Sequence, residues 1–590
     1  MTNPLAWQQR ATLGLLALFA TANWGCAAAP TEKRAENRNP SLWATVNTTS
    51  QPPSTSVSAG GAWQNSGFDS SGSYFALASD NYVFVPSPAS DSVVVIDSNS
   101  QSIRSVQTGA NPSHLVTIPG SDAAVTLNTG SGDASLLRVD PTGNIAQTRL
   151  PLVTGANALV VAPSGRYAVA FFDSDQPLAS NQIGDFQAVS LLNLSEGQES
   201  SYTLTTGFKP EEVLFPPADP SHAFVRTESE LSVLALDDID NSGLVPAHEL
   251  PDDAIGATDI HITADGSYAI APGSSSEIQF IDLLSGDRTS IFLWSVLGKP
   301  DPNLSDEAWA DVQATYPATE ELPASSTYQR YSIIKLAYDA GTNSLFALLN
   351  SQSFPDRAIL CKVPLTDAIF DLSAIESEPL GIAANSLQVT TVGLVIAYYA
   401  DLTSTEERLS VLDFAQPQDS GVRRRTVTLL KGVRDVVLSP DGETAIVLHS
   451  HKFKDPNYPG LPLEERIARS PGHSLLKLDT GESKLEQTKV DAQQALFSTA
   501  GTEAFVLFNT ANPPYLDEPV KEVMLIDVQR FVTQQVILLD SPPLFGANVP
   551  GQPRFFVAQN HPDGRLSFID WSTGEVRTVT GFELNSRIQN

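Results

Sequence analysis

The residues best suited to chemistry in this chain are carboxylates at regular spacing. Asp238-Ile-Asp-Asn-Ser-Gly-Leu-Val-Pro-Ala-His-Glu249 places Asp238, Asp240 and Ser242 at the first, third and fifth positions of a twelve-residue stretch. Gly243 supplies the turn, Val245 an apolar anchor and Glu249 the closing carboxylate. Calcium asks for such a set of oxygen ligands. The same residues also read as an acidic turn between strands, with Asp and Ser bonding the backbone. A second set emerges when similar segments are aligned on their Pro-Asp-Gly-like turns: His114, Ala158, Glu212, Asp259, Asp435 and Gln494 occupy equivalent spots. If those segments radiate from one axis, a histidine and three carboxylates face a common mouth, where a divalent metal would activate water. The alternative is a solvated acidic lining. His449 and His451 share a strand face with Asp455 close by, a weak metal pair. Cys361 alternates with Ile359 and Val363 and reads as a core thiol. The chain carries no phosphate-binding glycine loop opening a helix, no Gly-x-Ser-x-Gly elbow and no cysteine-pair metal motif.

The elements that must position these groups are strands. A short apolar phrase ending in Asp recurs along the chain, as Ser92-Val-Val-Val-Ile-Asp97, Glu277-Ile-Gln-Phe-Ile-Asp282, Arg408-Leu-Ser-Val-Leu-Asp413, Glu522-Val-Met-Leu-Ile-Asp527 and Arg565-Leu-Ser-Phe-Ile-Asp570. Ala134–Asp140 and Ser474–Asp479 are further copies, with looser ones at Ala188–Asn193, Glu230–Ala235 and Ala358–Val363. Around each lies the grammar strand, turn, strand. Asp435-Val-Val-Leu-Ser-Pro-Asp-Gly442 leads into Thr444-Ala-Ile-Val-Leu448, for example, and Pro, Asp and Gly each suit a hairpin turn for a separate reason. Four strands with tight turns predict an antiparallel meander, and repetition at this period predicts a repeat architecture.

The run Ser/Thr-Pro-Asp-Gly, a Tyr-Val-like strand and a Val-Ile-Asp strand resembles the YVTN-type β-propeller repeats of bacterial surface proteins, with Tyr82-Val-Phe-Val85 standing where that motif falls. The resemblance covers roughly residues 73 to 580 and implies an all-β propeller of four-stranded antiparallel blades. The phrase predicts seven to ten blade-like units in one continuous body. Related propellers include adhesins, sugar-lactone hydrolases and binding scaffolds. The ring of His114, Glu212, Asp259 and Asp435 resembles the channel metal site of lactonase-type propellers. The stretch from Asp238 to Glu249 resembles an EF-hand loop, although Leu231–Ala235 before it reads as a strand, and Pro246 and Pro251 oppose a following helix. Two stretches break the repeat. In 294–330, Ser305 caps a predicted helix that begins with Asp306 and Glu307; 450–472 holds a predicted helical turn at Glu464–Arg469. Insertions of this kind either carry specificity or merely cover a blade edge.

The first 25 residues read as a signal peptide, with Arg10 before an apolar run at Ala11–Ala20 that is too short to span a bilayer. Gly25-Cys26-Ala27 then resembles the lipobox of bacterial lipoproteins, which implies acylation of Cys26; Asn23 and Trp24 depart from that pattern. A plain secretory signal cleaved near Ala27–Ala29 is the alternative. Residues 26–72 are rich in Ser, Thr, Pro and Gly and read as a disordered tether, and the propeller is expected over 73–585. With 67 acidic against 35 basic residues and a net charge of −32, the composition argues against a nucleic-acid partner. Any membrane attachment then runs through an N-terminal lipid. The expectation is an exported module, an outer-membrane or cell-surface lipoprotein or a periplasmic protein, that binds an envelope protein or glycan. Calcium is its one suggested cofactor, and a metal-dependent hydrolase is the alternative.

Overall fold

The computed structural model describes residues 76–582 except 175, 177–182, 239–246, 251–259, 274, 298–304, 316–330, 352–353, 366–371, 402–403, 419, 451–458 and 509–518. These residues form ten sheets, each of four strands that follow one another in sequence and pair antiparallel with their neighbours. The fold is an all-β propeller of ten blades. The recurring apolar phrase is the third strand of every blade, from Ser92–Asp97 in blade 1 to Arg565–Asp570 in blade 10.

The pleat explains why the phrase is apolar without interruption. Successive side chains point to opposite faces of a strand, and in a propeller both faces are covered. In blade 1, Val94 and Ile96 join Val83 and Val85 in an apolar cluster with Phe545, Phe556 and Phe568 of blade 10. Val93 and Val95 face the other way and pack with Phe84 on Leu115, Ala124 and Leu137 of blade 2. Ten clusters of this kind link each blade to the next, and the cluster between blades 10 and 1 closes the ring. No strand is exchanged at the closure. Arg554 donates to the carbonyl of Ser98, Gln552 to the Asn81 side chain and the Gly551 amide to the carbonyl of Asp80. The fourth strands are the ones most open to solvent, as in Ile103–Gln107 and Val532–Leu538.

The Asp that ends the phrase builds a turn. The Asp97 carboxylate accepts the amides of Asn99 and Ser100 at 2.8 and 2.9 Å, and Asp282 and Asp570 repeat this on the two residues after their neighbours. The Pro-Asp-Gly turn works as expected. Asp441 accepts the Glu443 amide at 3.0 Å, and Gly442 takes φ +72°, a value costly for any side chain.

A second recurring residue sits on the third strand three places before the residue that pairs with the start of the second strand. Ser135, Ser190, Ser232, Ser410, Ser474 and Ser567 are almost wholly buried there, and Cys361 takes the same place in blade 6. Ser190 accepts the amide of Val153 at 2.8 Å, Ser232 that of Gly207 at 3.2 Å, and Ser410 donates to the carbonyl of Leu380. Each of these three thereby holds the segment through which the chain enters its own blade.

Both expected helices form: α1 over Asp306–Thr315, with Ser305 Oγ accepting the Ala308 amide at 3.1 Å, and α2 over Leu463–Arg469. α1 buries Trp309 and Val312 against Phe292 and Trp294 at the end of blade 5. Among the described residues no helix is long and apolar enough to cross a membrane.

Candidate functional site

Antiparallel order gives the propeller two unlike faces. First strands of successive blades all run the same way. Connections from second to third strand, and from one blade to the next, therefore share one face; turns from first to second and third to fourth strand share the other. The four longest connections leave and return on the first of these, here the insertion face: 172–187 in blade 3, 450–471 in blade 8 with α2, 509–521 in blade 9 and 293–330 between blades, beside shorter ones at 399–407 and 250–260. The opposite face, here the turn face, is built mainly of short turns such as 118–122, 162–166 and 439–443, with longer connections at 236–246, 365–375 and 414–423. Connections on a rigid scaffold are where binding residues concentrate.

A recess on the insertion face lies across three connections around blades 3 and 4. A cleft of about 600 Å³ is lined by Thr154, Ile183, Gly184, Asp185, Phe186, Gln187 and Phe208. Its floor is aromatic: Phe186 meets Phe172 edge-on at 5.1 Å between ring centres and stacks on Phe208 at 5.6 Å. The geometry is preformed. The Asp185 amide donates to the carbonyl of Thr154 and the Lys209 amide to the carbonyl of Phe186, at 2.9 and 2.7 Å. Gly184 lies so close to the Phe172 ring that a β-carbon there would sit 2.0 Å from it, and one on Gly155 would sit 2.6 Å from the Gly184 α-carbon. Ile183 is 80% exposed and Phe208 49% exposed, a pairing of large apolar surfaces that a folded protein usually covers. Sequence reading singled out neither. The available signal was Thr206-Gly207-Phe208-Lys209, an aromatic residue in a connection with no blade of its own to pack into.

The residues expected to form an axial ring do hold equivalent register positions, each paired across to its second strand. His114 pairs with Leu127, Glu212 with Arg226, Asp435 with Leu448 and Gln494 with Leu507. Their side chains differ from the expectation, because they turn into the protein. His114 is buried, and burial pushes its imidazole down to about 3, which leaves it neutral. Glu212 is buried and accepts from Arg226 Nε at 3.0 Å, while the same guanidinium holds Glu211. Asp435 is buried between blades 7 and 8. It accepts its neighbour Val436's amide at 2.8 Å and lies 3.5 Å from the Tyr398 hydroxyl. Burial raises its carboxyl to about 7, against the pull of the Val436 amide, Arg434 and Tyr398. Gln494 bonds both the amide and the carbonyl of Gly546 in blade 10. The physical reason is again the pleat, which sends first-strand side chains into the blade interfaces. Asp259 lies outside the described residues. Among the described residues no three His, Cys, Asp or Glu side chains come together as a metal site.

In the acidic stretch, Asp238 is exposed, whereas Glu249 ends the strand Ala247–Glu249, paired with Glu230, its side chain directed to solvent. Asp240 and Ser242 lie outside the described residues, as do Cys26, His451 and Asp455. His449 is buried. Its Nδ1 donates to the carbonyl of Gly432 at 3.1 Å and Nε2 accepts from Ser474 Oγ at 2.7 Å, so both nitrogens serve the blade. Cys361 is fully buried, and burial pushes its thiol well above the usual range.

No family model matches the chain, and no curated protein matches it in sequence. Solved structures do. A eukaryotic initiation factor aligns over 83% of this chain and 96% of its own at 9% identity, with a TM-score of 0.42. The Myceliophteria thermophila Cps50 (Swd1) β-propeller domain aligns over 61% of this chain and 96% of its own, at 10% identity and a TM-score of 0.32. At such identities the likeness concerns the fold alone.

Proposed function

We propose that this chain is a binding module that presents the insertion face of a ten-bladed propeller to a protein or glycan of the bacterial envelope, held at a membrane surface by acyl chains on Cys26. The observation that carries this reading is the preformed apolar cleft on the face that also bears the four longest connections. The competing reading, a metal-dependent hydrolase, needs several free oxygens at one point. Glu212 is already engaged by Arg226, and Asp435 sits between blades beside Tyr398. That geometry favours binding over metal chemistry.

Two measurements test the proposal separately. Cys26→Ala is expected to shift the protein from the detergent to the aqueous phase on partitioning; an unchanged distribution overturns the lipid anchor. Photo-crosslinking residues placed at 208 and 463 on the insertion face, and at 284 and 422 on the turn face, report contacts in intact cells. Adducts from the first pair are expected, and adducts from the second pair alone overturn the assignment of the face.

A further inference from the structure

The cleft at blades 3 and 4 has a chemistry of its own, and that chemistry narrows the partner. We infer that it receives a peptide segment of a partner protein in which an aromatic or aliphatic side chain lies beside Lys or Arg. This rests on the binding reading above and adds to it the site and the class of ligand.

Two features of the cleft carry the inference. The first is apolar. Phe208 and Ile183 form the exposed lip, Phe186 continues it inward with the buried Phe172 ring behind it, and the volume of about 600 Å³ suits one or two side chains rather than a whole domain. Aromatic anchors docked in such recesses dominate the energy of many protein contacts. The second is charge. Asp185 lies in the wall and is exposed. The Glu228 amide donates to the carbonyl of Phe208, which sets an exposed carboxylate beside the lip. The Glu230 carboxylate passes so close over Gly207 that a β-carbon there would overlap it. The neighbouring cations are engaged: Lys209 Nζ lies 3.3 Å from Glu211, and Arg226 bridges Glu211 and Glu212. Asp185, Glu228 and Glu230 therefore give the rim a negative balance around an apolar floor, and the complement is a cationic peptide with an apolar side chain. A net charge of −32 on the whole chain would further speed the encounter.

The test is selection of a random peptide display library on the full-length protein, followed by affinity measurement of the enriched peptides as synthetic probes. Enrichment of peptides that combine Lys or Arg with Phe, Trp, Leu or Ile is expected. Phe208→Ala and Ile183→Ser should each weaken them about tenfold or more. Glu228→Lys should weaken them and flatten their salt dependence. Leu284→Ser, an exposed position on the turn face, should leave affinity unchanged. All four positions are at least partly exposed, so folding should survive the changes. The inference is overturned by no enrichment, by enrichment of acidic or uncharged peptides, by affinity that survives Phe208→Ala, or by a neutral glycan that binds instead and is lost in that variant. Affinity lost with Leu463→Ser on α2 but kept by Phe208→Ala would overturn the cleft while leaving the insertion face as the binding surface.

Discussion

Asp435 shows how far a residue's type can mislead about its work. Its carboxyl sits between two blades, raised to about 7 chiefly by burial. An unfolded Asp titrates near 3.9, so between roughly pH 4 and 7 the folded protein binds a proton that the unfolded chain does not, and stability falls as pH rises through that window. Asp435→Asn should abolish that slope. It should be more stable than the parent at pH 8 by an amount on the order of a few kcal/mol, and close to it at pH 5. Urea unfolding at the two pH values checks this; equal stabilities at pH 8 would place the ionised carboxylate in a better-solvated setting than the structure gives it. Asp282, at the end of the third strand of blade 5, behaves oppositely. In Asp282 the amides after it, that of Ser285 first, hold the carboxyl below its ordinary value. Its contribution is therefore present above about pH 4 and lost on acidification.

At the scale of elements, the buried serines of the third strands are the joints of the ring. Ser232 Oγ takes up the Gly207 amide, and the connection it fixes carries Phe208 into the cleft. Ser232→Ala leaves that buried amide without its partner, at a cost of about 1–3 kcal/mol. It should also weaken peptide binding by loosening the lip, although Ser232 itself does not line the cleft. Denaturation and peptide affinity measured on the same variant read both effects; a loss of stability with affinity unchanged would separate the joint from the site. Part of this was legible in the chain. The Ser three places before Asp is visible in Arg408-Leu-Ser-Val-Leu-Asp413 and Arg565-Leu-Ser-Phe-Ile-Asp570. Nothing in one strand, however, tells which connection its hydroxyl will meet.

For the molecule as a whole, closure is the vulnerable step, because blades 1 and 10 meet by packing and hydrogen bonds with no chain connection from one to the other. Phe556, fully buried in that interface, should cost about 3–5 kcal/mol when replaced by Ala. A chain ending at residue 541 lacks blade 10 and should expose Val83, Val85, Val94 and Ile96. Dye binding and association on gel filtration are the expected readouts, and a monodisperse nine-blade product would show that the ring recloses around the gap.

The sequence by itself determined the blade. Apolar residues on both faces of the third strand in every unit, Asp at its end in seven copies and Pro-Asp-Gly or a variant between the first two strands of several are local instructions followed through short-range geometry, and the ten copies of the phrase equal the number of blades. The sequence likewise placed α1 and α2, whose starting residues are local signals. Tertiary structure alone decided where side chains of equal register point. His114, Glu212 and Asp435 are equivalent along their strands, yet whether such a position opens to the axis or enters an interface depends on the neighbouring blade, which the local pattern does not encode. The cleft is of the same kind. Phe172 and Phe186 stand at the two ends of one connection and Phe208 belongs to the next, and only the folded blades bring the three rings together.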